Sequence, residues 1–277
     1  MNKPGGSGVY SVVDVQGLAD TRNIPVQKVG VKNVTYPITV LDKLNRTQHT
    51  VATVNLFANL PHEHKGTHMS RFIEVFNEHY HDLSMPRFLK MLERIRAALY
   101  AETAFGEVKF PYFMKKRAPV SGQESIMSYR CGYMGEVGGG KRDFVVSITV
   151  PVATLCPCSK EISSRGAHNQ RGEVRVKVQL GPFFWFEDII ELIENAASSG
   201  LYTLLKREDE RFVTEHAYDN PVFVEDLVRE VCLGIEALDR FPWFSVEAEN
   251  MESIHNHDAY AYLERGRRTN NGSEHGN

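Results

Sequence analysis

The sequence predicts an α+β fold in which the order ββααββ occurs twice along the chain. Three observations support this prediction: β-rich runs come in pairs, two amphipathic helical patterns lie between successive pairs, and a Gly138-Gly139-Gly140 turn separates two similar halves. Each unit has four antiparallel strands with helices on one face, and the exposed edges of such a sheet are normally paired or covered. We therefore expect a barrel-like oligomer in which the sheets of several subunits join edge to edge.

The first half opens with a predicted β-hairpin. Two β-rich runs, Val29 to Val40 and Thr47 to Leu56, are joined by a turn of Asp42, Lys43, Leu44 and Asn45. Ser70 is a candidate cap for a helix that runs to about His81, and a second helix follows Pro86. Strand-like runs then return at Glu107 to Lys115 and Ser125 to Val137.

The second half is predicted to repeat this order. Strand runs lie at Arg142 to Thr154 and Gly172 to Leu180, and the second of them alternates apolar with charged residues. Helices are predicted from about Phe186 and from Asn220, where Pro221 would occupy the first helical position. The last predicted strands are Trp243 to Glu249 and Asp258 to Glu264.

The predicted organisation therefore has four parts. Residues 1–28 read as an irregular arm, 29–140 as the first unit, 141–265 as the second unit with most candidate site residues, and 266–277 as a disordered tail.

Composition excludes several classes of protein. The chain of 277 residues carries 35 acidic and 32 basic side chains, which argues against a general nucleic-acid or membrane-surface binder. The nearly uninterrupted apolar stretch from Phe144 to Cys156 contains Pro151 and is too short to span a bilayer. The first residues lack the apolar core of a secretory signal, so we expect a cytoplasmic protein with reduced cysteines.

A cysteine pair and a histidine flank one polar loop. Cys156 and Cys158 end an apolar strand run, and His168 follows just before the next strand. Thiolate and imidazole suit zinc or a similar divalent metal, although the spacing matches no structural zinc pattern, so a third ligand would have to come from elsewhere. The alternative is a buried cysteine pair with a loop histidine.

Two further groups of residues have the chemistry to bind a nucleotide. Glu252 and His255 lie in the connection between the last two strands, where a carboxylate can accept from paired N–H donors and a histidine can move protons. Lys65, His68 and Arg71 precede or open a helix, and Lys160, Arg165 and Arg171 follow the cysteine pair; both sets could hold phosphates. The alternative for both sets is ordinary solvated loop charges.

Four segments follow one another along the chain: LPHEHKGTHMSRF, TLCPCSKEISSRGAHNQRGEV, DNPVFVEDLVRE and AENMESIHNHDAYA. Together and in this order they resemble the prokaryotic type IB GTP cyclohydrolase I, an enzyme that opens folate biosynthesis. The resemblance covers nearly the whole chain. It implies the T-fold, with two ββααββ units fused in each chain, and a homotetramer.

The resemblance also implies roles for particular residues. Cys158, His168 and Glu210 would hold one divalent metal (Zn²⁺, Mn²⁺ or Fe²⁺), with Glu208 as the alternative carboxylate and Cys156 as the alternative thiolate. Glu252 would anchor the guanine edge, and His255 would transfer protons. Lys65, His68, Arg71 and Arg171 would bind the triphosphate, in part from a neighbouring subunit.

The implied reaction converts GTP and water to 7,8-dihydroneopterin triphosphate and formate. A metal-activated water would attack C8 of guanine, and Cys158 and His255 would be catalytic. Two alternatives remain open: an archaeal-type cyclohydrolase that yields a cyclic phosphate, and a purine- or pterin-binding module without chemistry.

Overall fold

The protein is built around one long antiparallel sheet. A computed structural model describes residues 14–179 and 181–268. The strands of the sheet are, in chain order, β1 (Val26–Asp42), β2 (Arg46–Leu60), β3 (Thr103–Arg117), β4 (Glu124–Gly138), β5 (Lys141–Leu155), β6 (Asn169–Gln179), β7 (Ser199–Gly200), β8 (Trp243–Met251) and β9 (Ala259–Gly266). Their spatial order is β1-β2-β3-β4-β5-β6-β8-β9, and the two-residue β7 pairs with β5 outside this path. Neighbours in sequence therefore mostly remain neighbours in space.

Helices cover one face of the sheet and close its core. The helices are α1 (Met69–Asn77), α2 (Met85–Ala98), α3 (Pro157–Ile162), α4 (Phe186–Ala196), α5 (Arg207–Asp219) and α6 (Val224–Ala237). Alternate strand residues such as Val54, Val108 and Val176 are fully buried, and they share one core cluster with helix side chains such as Leu92 and Leu227. One core cluster runs through both halves, because the sheet continues from one half into the other without a break. Burial of this apolar surface is the main stabilising contribution to such a fold.

Local turn chemistry fixes the first hairpin where the sequence predicts it. Asp42 ends β1, and its Oδ1 accepts hydrogen bonds from the backbone N–H groups of Leu44 (2.9 Å) and Asn45 (2.6 Å). Arg46, the first residue of β2, has a φ of 68°. A short carboxylate that caps the turn residues two and three positions later is what a tight connection between strands requires.

The prediction of a tandem ββααββ fold is wrong. The strands form a single nine-stranded sheet rather than two units that each have their own sheet, and six helices rather than four accompany it. The second half contains α3 between β5 and β6, and β7 and α5 between α4 and α6. The physical reason is the turn at Gly139 and Gly140: their positive φ values, 58° and 76°, let β4 turn directly back into β5, and this hairpin fuses the two halves.

Three helix boundaries also differ from the prediction. Ser70 is not a cap, because α1 begins at Met69 with His68 at the N-cap position and ends at Asn77 rather than His81. Asn220 does not begin a helix: it is the C-cap of α5, and its Nδ2 donates to the carbonyl of His216 (2.7 Å). The following helix, α6, begins at Val224.

The predicted division into an arm, two units and a tail, with these bounds, stays a prediction. The predicted boundary between residues 140 and 141 falls at the β4–β5 turn. Residues 1–13 of the predicted arm, residues 269–277 of the predicted tail and Leu180 at the end of a predicted strand lie outside the described residues. Within residues 14–179 and 181–268, no helix has the length and apolar character needed to cross a bilayer.

Candidate active site

The ends of four strands bring the second-half candidate residues to one end of the sheet. At this end, here called the site end, β5 finishes at Leu155 opposite Asn169 of β6, and Met251 of β8 pairs with Arg171. β9 begins beside it, with Ala259 opposite Asn250. The Cys156–His168 loop and the Glu252–Asp258 loop therefore emerge side by side, since β6 and β8 are neighbours.

The Cys156–His168 loop is closed by hydrogen bonds at its base. The backbone N–H of Cys156 donates to the carbonyl of His168 (3.1 Å), and the N–H of His168 donates to Ser159 Oγ (3.1 Å). Ser159 Oγ in turn donates to the carbonyl of Cys156 (3.1 Å), and the Ser159 N–H approaches Cys156 Sγ at 3.4 Å. These contacts fix the cysteine segment and the histidine relative to each other before any ligand binds.

His168 and Glu252 meet through a glutamine that the sequence analysis missed. Gln170 Oε1 lies 3.0 Å from His168 Nδ1, and Gln170 Nε2 donates to Glu252 Oε1 (3.3 Å). Glu252 Oε2 is 3.8 Å from His168 Nδ1, and the side chains of both residues are 12% exposed. Gln170 itself is 9% exposed. A carboxylate, an amide and an imidazole therefore form one nearly buried chain at the site end.

His255 lies beside this chain. Its ring centroid is 6.3 Å from that of His168 in an edge-on arrangement, and it stacks on His257 at 5.2 Å. His255 is exposed, as is most of its loop. A solvent-accessible imidazole that ends a nearly buried polar chain has the placement of a group that exchanges protons with a bound ligand.

The structure does not bring the three predicted metal ligands into one cluster. Cys158 is exposed, Cys156 is half-buried, and Glu210 is exposed in the first turn of α5. Among residues 14–179 and 181–268, no group of three or more histidine, cysteine or acidic side chains is arranged to hold a metal ion. Thiol and imidazole groups at the two ends of one loop suit a divalent metal by their chemistry, but this chain does not supply a completed set of ligands.

Asp209, between the two candidate acids Glu208 and Glu210, has a structural role. It is fully buried, and its carboxylate accepts from the backbone N–H groups of Val120 (2.9 Å), Ser121 (2.8 Å) and Lys206 (2.8 Å). Ser121 Oγ adds a fourth hydrogen bond at 2.6 Å. Burial by itself raises the pKa of Asp209, but the hydrogen bonds from Ser121, Lys206 and Val120 outweigh that effect and hold the pKa well below its ordinary value. The carboxylate thus ties the N-terminus of α5 to the β3–β4 connection.

The predicted phosphate-binding residues are divided between the two ends of the sheet. Arg171 lies at the site end, exposed, and strand alternation places it on the opposite face of β6 from the buried Gln170. Lys65 and His68 follow the C-terminal end of β2, at the opposite end of the sheet. At that end, Ala58 of β2 pairs with Ala104 of β3, and Gly138 of β4 pairs with Lys141 of β5. We call this the far end. β5 runs from one end to the other in 15 residues, a length of about 45 Å at the usual rise per residue.

Several of these predicted phosphate-binding residues also have other partners. Arg71 Nη1 donates to the carbonyl of Ala98 (2.8 Å), the last residue of α2, and His68 Nε2 lies 3.3 Å from Asp14 Oδ2. Lys160 Nζ donates to the carbonyl of Tyr218 (2.5 Å) and lies over that ring. Arg71 and Lys160 therefore help to hold helix ends, whereas the side chain of Lys65 is exposed.

A helix-covered antiparallel sheet with imidazole, carboxylate and thiol groups at the ends of its strands is the framework of an α+β enzyme. The family model described as "Type I GTP cyclohydrolase folE2" matches residues 12–261, and the chain belongs to this family. Among curated relatives, the "GTP cyclohydrolase FolE2" of Syntrophus aciditrophicus (strain SB) is 55% identical over 92% of this chain and 100% of the relative. The protein of the same name from Geotalea uraniireducens (strain Rf4) is 52% identical over 92% and 94% of the two chains.

A solved structure of low sequence identity is similar to this chain in fold alone. Uricase from Arthrobacter globiformis superposes with a TM-score of 0.51 over 91% of this chain and 96% of that chain, at 8% sequence identity. The folE2 match is compatible with the type IB GTP cyclohydrolase I that the motifs resemble. The placement of the chain in the T-fold group is wrong, because its architecture is the single nine-stranded sheet that resembles uricase rather than two fused ββααββ units.

Proposed function

We propose that this GTP cyclohydrolase converts GTP and water to 7,8-dihydroneopterin triphosphate and formate at the site end of its sheet, as an early step of folate synthesis. Family membership over residues 12–261 supports the reaction. The observation that supports the location is the hydrogen-bonded chain of His168, Gln170 and Glu252, in which Gln170 and Glu252 are 82 positions apart in sequence.

Glu252 is the proposed anchor of the guanine ring. Guanine presents two adjacent N–H donors on its pyrimidine edge, and an ionised carboxylate is acceptor-only with two oxygens that match them. The side chain is 12% exposed, so the bond forms in a poorly hydrated place where charge-assisted hydrogen bonds are strong. Anchoring this edge places C8 and N7, on the opposite side of the base, toward the remaining groups of the site.

His255 is the proposed proton donor to N7 of guanine. Addition of water to C8 builds negative charge on the ring nitrogens, and protonation of N7 as the C8–O bond forms relieves it. Opening of the imidazole ring leaves a formamide on N7, and addition of a second water to this group releases formate. The exposed position of His255 lets it regain a proton from solvent between these steps.

We propose a divalent metal, held by Cys158 and His168 with Glu210 as the carboxylate, although the chain as described does not assemble these three residues. When bound, such an ion supplies a Lewis acid that lowers the pKa of coordinated water toward about 7. The loop contacts of Cys156, Ser159 and His168 hold the two ends of the loop together, which supports one thiol and one imidazole donor from this loop. Cys156 is the matched alternative to Cys158.

The triphosphate is proposed to lie between subunits of a homotetramer. Arg171 is at the site end of the same chain, whereas Lys65, His68 and Arg71 are at the far end, about 45 Å away along the strands. One chain therefore cannot present all four side chains to one nucleotide. A neighbouring subunit whose far end meets this site end would supply them.

Turnover of GTP by metal-stripped protein, with and without added Mn²⁺ or Zn²⁺, tests the proposal. Formate and the fluorescent oxidised pterin are measured together, and bound metal is counted in wild type, Cys158→Ala and Cys156→Ala. Both products in metal-loaded wild type, with loss of metal in Cys158→Ala alone, would support the reaction and the ligand. Formate with a cyclic phosphate product would indicate the archaeal-type reaction, and intact GTP under every condition would contradict catalysis.

A further inference from the structure

Gln170 is buried at the site end between two groups to which the proposed reaction gives roles. It is the second residue of β6, directly opposite Thr154 of β5, so the sheet holds its backbone. Its side-chain amide touches His168 on one side and Glu252 on the other. An amide has one acceptor atom and one donor group. The direction in which it points therefore decides which neighbour must donate a hydrogen bond and which must accept one.

The charge of Glu252 decides that direction. An ionised carboxylate only accepts, so the amide must turn its NH₂ group toward Glu252 Oε1, at 3.3 Å. The reversed amide would place two acceptor oxygens against each other in a nearly buried position, with no proton between them. Gln170 Oε1 consequently faces His168 Nδ1, at 3.0 Å.

The direction of the amide in turn fixes the proton on His168. Because Gln170 Oε1 only accepts, His168 Nδ1 must carry a hydrogen in order to bond with it. The other atoms near Nδ1 agree: Ser253 Oγ is 3.5 Å away and Glu252 Oε2 is 3.8 Å away, and both are oxygens that can accept. Neutral His168 then has its lone pair on Nε2.

We propose that Gln170 is a positioning residue that locks His168 in the Nδ1–H tautomer and holds the Glu252 carboxylate in place. The unprotonated Nε2 is the form of the ring that can act as a ligand or accept a proton. The role in turnover rests on the GTP cyclohydrolase reaction proposed above. The tautomer is a property of the resting protein, so the two can fail separately.

The first measurement is the tautomer itself, in metal-stripped protein without GTP. Long-range ¹H–¹⁵N spectra of histidine-labelled protein, assigned with a His168→Ala variant, report which ring nitrogen carries the proton. We expect the Nδ1–H form in wild type and in Gln170→Glu, whose carboxylate also accepts from Nδ1–H. A mixture with Nε2–H is expected in Gln170→Leu, which has no acceptor. Wild-type His168 in the Nε2–H form would overturn the proposal, and so would an unchanged tautomer in Gln170→Leu.

Kinetics then separate the two contacts of Gln170. Gln170→Glu keeps the acceptor for His168 but replaces the donor to Glu252 with a like charge, so KM for GTP should rise about tenfold with a smaller change in kcat. Gln170→Leu should lower kcat as well. Thr154→Val is the matched control, because Thr154 is fully buried, faces Gln170 across the ladder and has an Oγ1 without a hydrogen-bond partner among the described residues.

The control should behave as wild type in both measurements. Equal kinetic losses in Thr154→Val and Gln170→Leu would assign the effect to packing and overturn the positioning role. If Gln170→Leu does not fold, the wild-type tautomer and the rise in KM of Gln170→Glu still decide the matter. Wild-type protein that shows the Nδ1–H form but leaves GTP intact would contradict the proposed reaction while supporting the tautomer.

Discussion

At the scale of single residues, the chemistry of the site depends on a small set of polar side chains in a nearly buried position. His168, Gln170 and Glu252 form a chain in which each member limits the hydrogen bonds open to the next. Buried polar networks have this property because an unpaired donor or acceptor in a poorly hydrated place is costly. Substitutions that keep size but change donor and acceptor pattern are therefore the most informative tests.

Glu252→Gln is expected to lower kcat/KM for GTP by about a hundredfold, chiefly through KM, because an amide cannot accept from both guanine donors and loses the charge-assisted bond. Steady-state kinetics with GTP measure this loss. Glu249→Gln is the matched control: it lies three residues earlier in β8, it is exposed, and strand alternation places it on the face opposite the core. Equal losses in the two variants would contradict the assignment of Glu252 as the guanine anchor.

His255→Gln is expected to reduce kcat about a hundredfold while KM for GTP changes little, since a positioned proton donor acts on the transition state more than on binding. His257→Gln, in the ring that stacks on His255, is the comparison. A KM effect that exceeds the kcat effect in His255→Gln would show that this ring binds GTP rather than moving protons.

At the scale of helices and strands, the sequence predicts what local chemistry decides. The β1–β2 turn at Asp42 is readable because a capping carboxylate acts two and three residues along the chain. The α5 helix is not readable, because Asp209 and Ala217 are its only buried residues and it carries little apolar periodicity. Asn220 favours either end of a helix, and sequence alone does not choose between capping α5 and starting the next helix.

The candidate site, too, is predictable from the sequence in some features and not in others. Glu252, His255 and His168 stand out in the sequence by residue type and motif, but their proximity depends on the pairing of β6 with β8, and α4, β7, α5 and α6 intervene along the chain. Gln170 carries no motif and looks like an ordinary polar residue at a strand start. The signal that could have revealed it is its position two residues after His168, which places both side chains on the same face of an extended chain.

Asp209→Asn is expected to lower the melting temperature at pH 7, on the order of 5 °C. The amide can accept through only one oxygen and loses the charge that the four hydrogen bonds from Val120, Ser121 and Lys206 stabilise. Thermal unfolding monitored by circular dichroism measures the shift. Glu208→Gln, one residue earlier and exposed, is the control and should leave the melting temperature nearly unchanged.

The pH dependence of this difference follows from the lowered pKa of Asp209. In the unfolded chain the carboxyl has its ordinary value of 3.8, so its contribution to stability is fully present above that pH and is lost as the pH falls toward the lower folded value. The gap between wild type and Asp209→Asn should therefore shrink below about pH 4. A gap that widens on acidification would contradict a native carboxylate at this position.

At the scale of the whole molecule, the two edges and the two ends of the sheet are the places where subunits could meet. β1 and β9 are the outer strands, and each has one side without a partner strand in the described chain. The site end carries Glu252 and Arg171, and the far end carries Lys65 and His68. A neighbouring subunit whose far end meets this site end would bring these two sets of residues together.

Mixing two inactive variants tests this arrangement. Lys65→Ala and Glu252→Gln should each lose most GTP turnover alone, yet oligomers reassembled from an equal mixture should recover about a quarter of wild-type activity. The reason is that some sites then combine an intact Lys65 from one subunit with an intact Glu252 from another. Lys109→Ala mixed with Glu252→Gln is the control: Lys109 lies in mid-strand and pairs with Glu107, and the mixture should show only the activity of its intact Glu252 subunits. Lys65→Ala that keeps wild-type turnover alone would place Lys65 outside the site, and no recovery in the first mixture, with subunit exchange verified by mass spectrometry, would contradict a site shared between subunits.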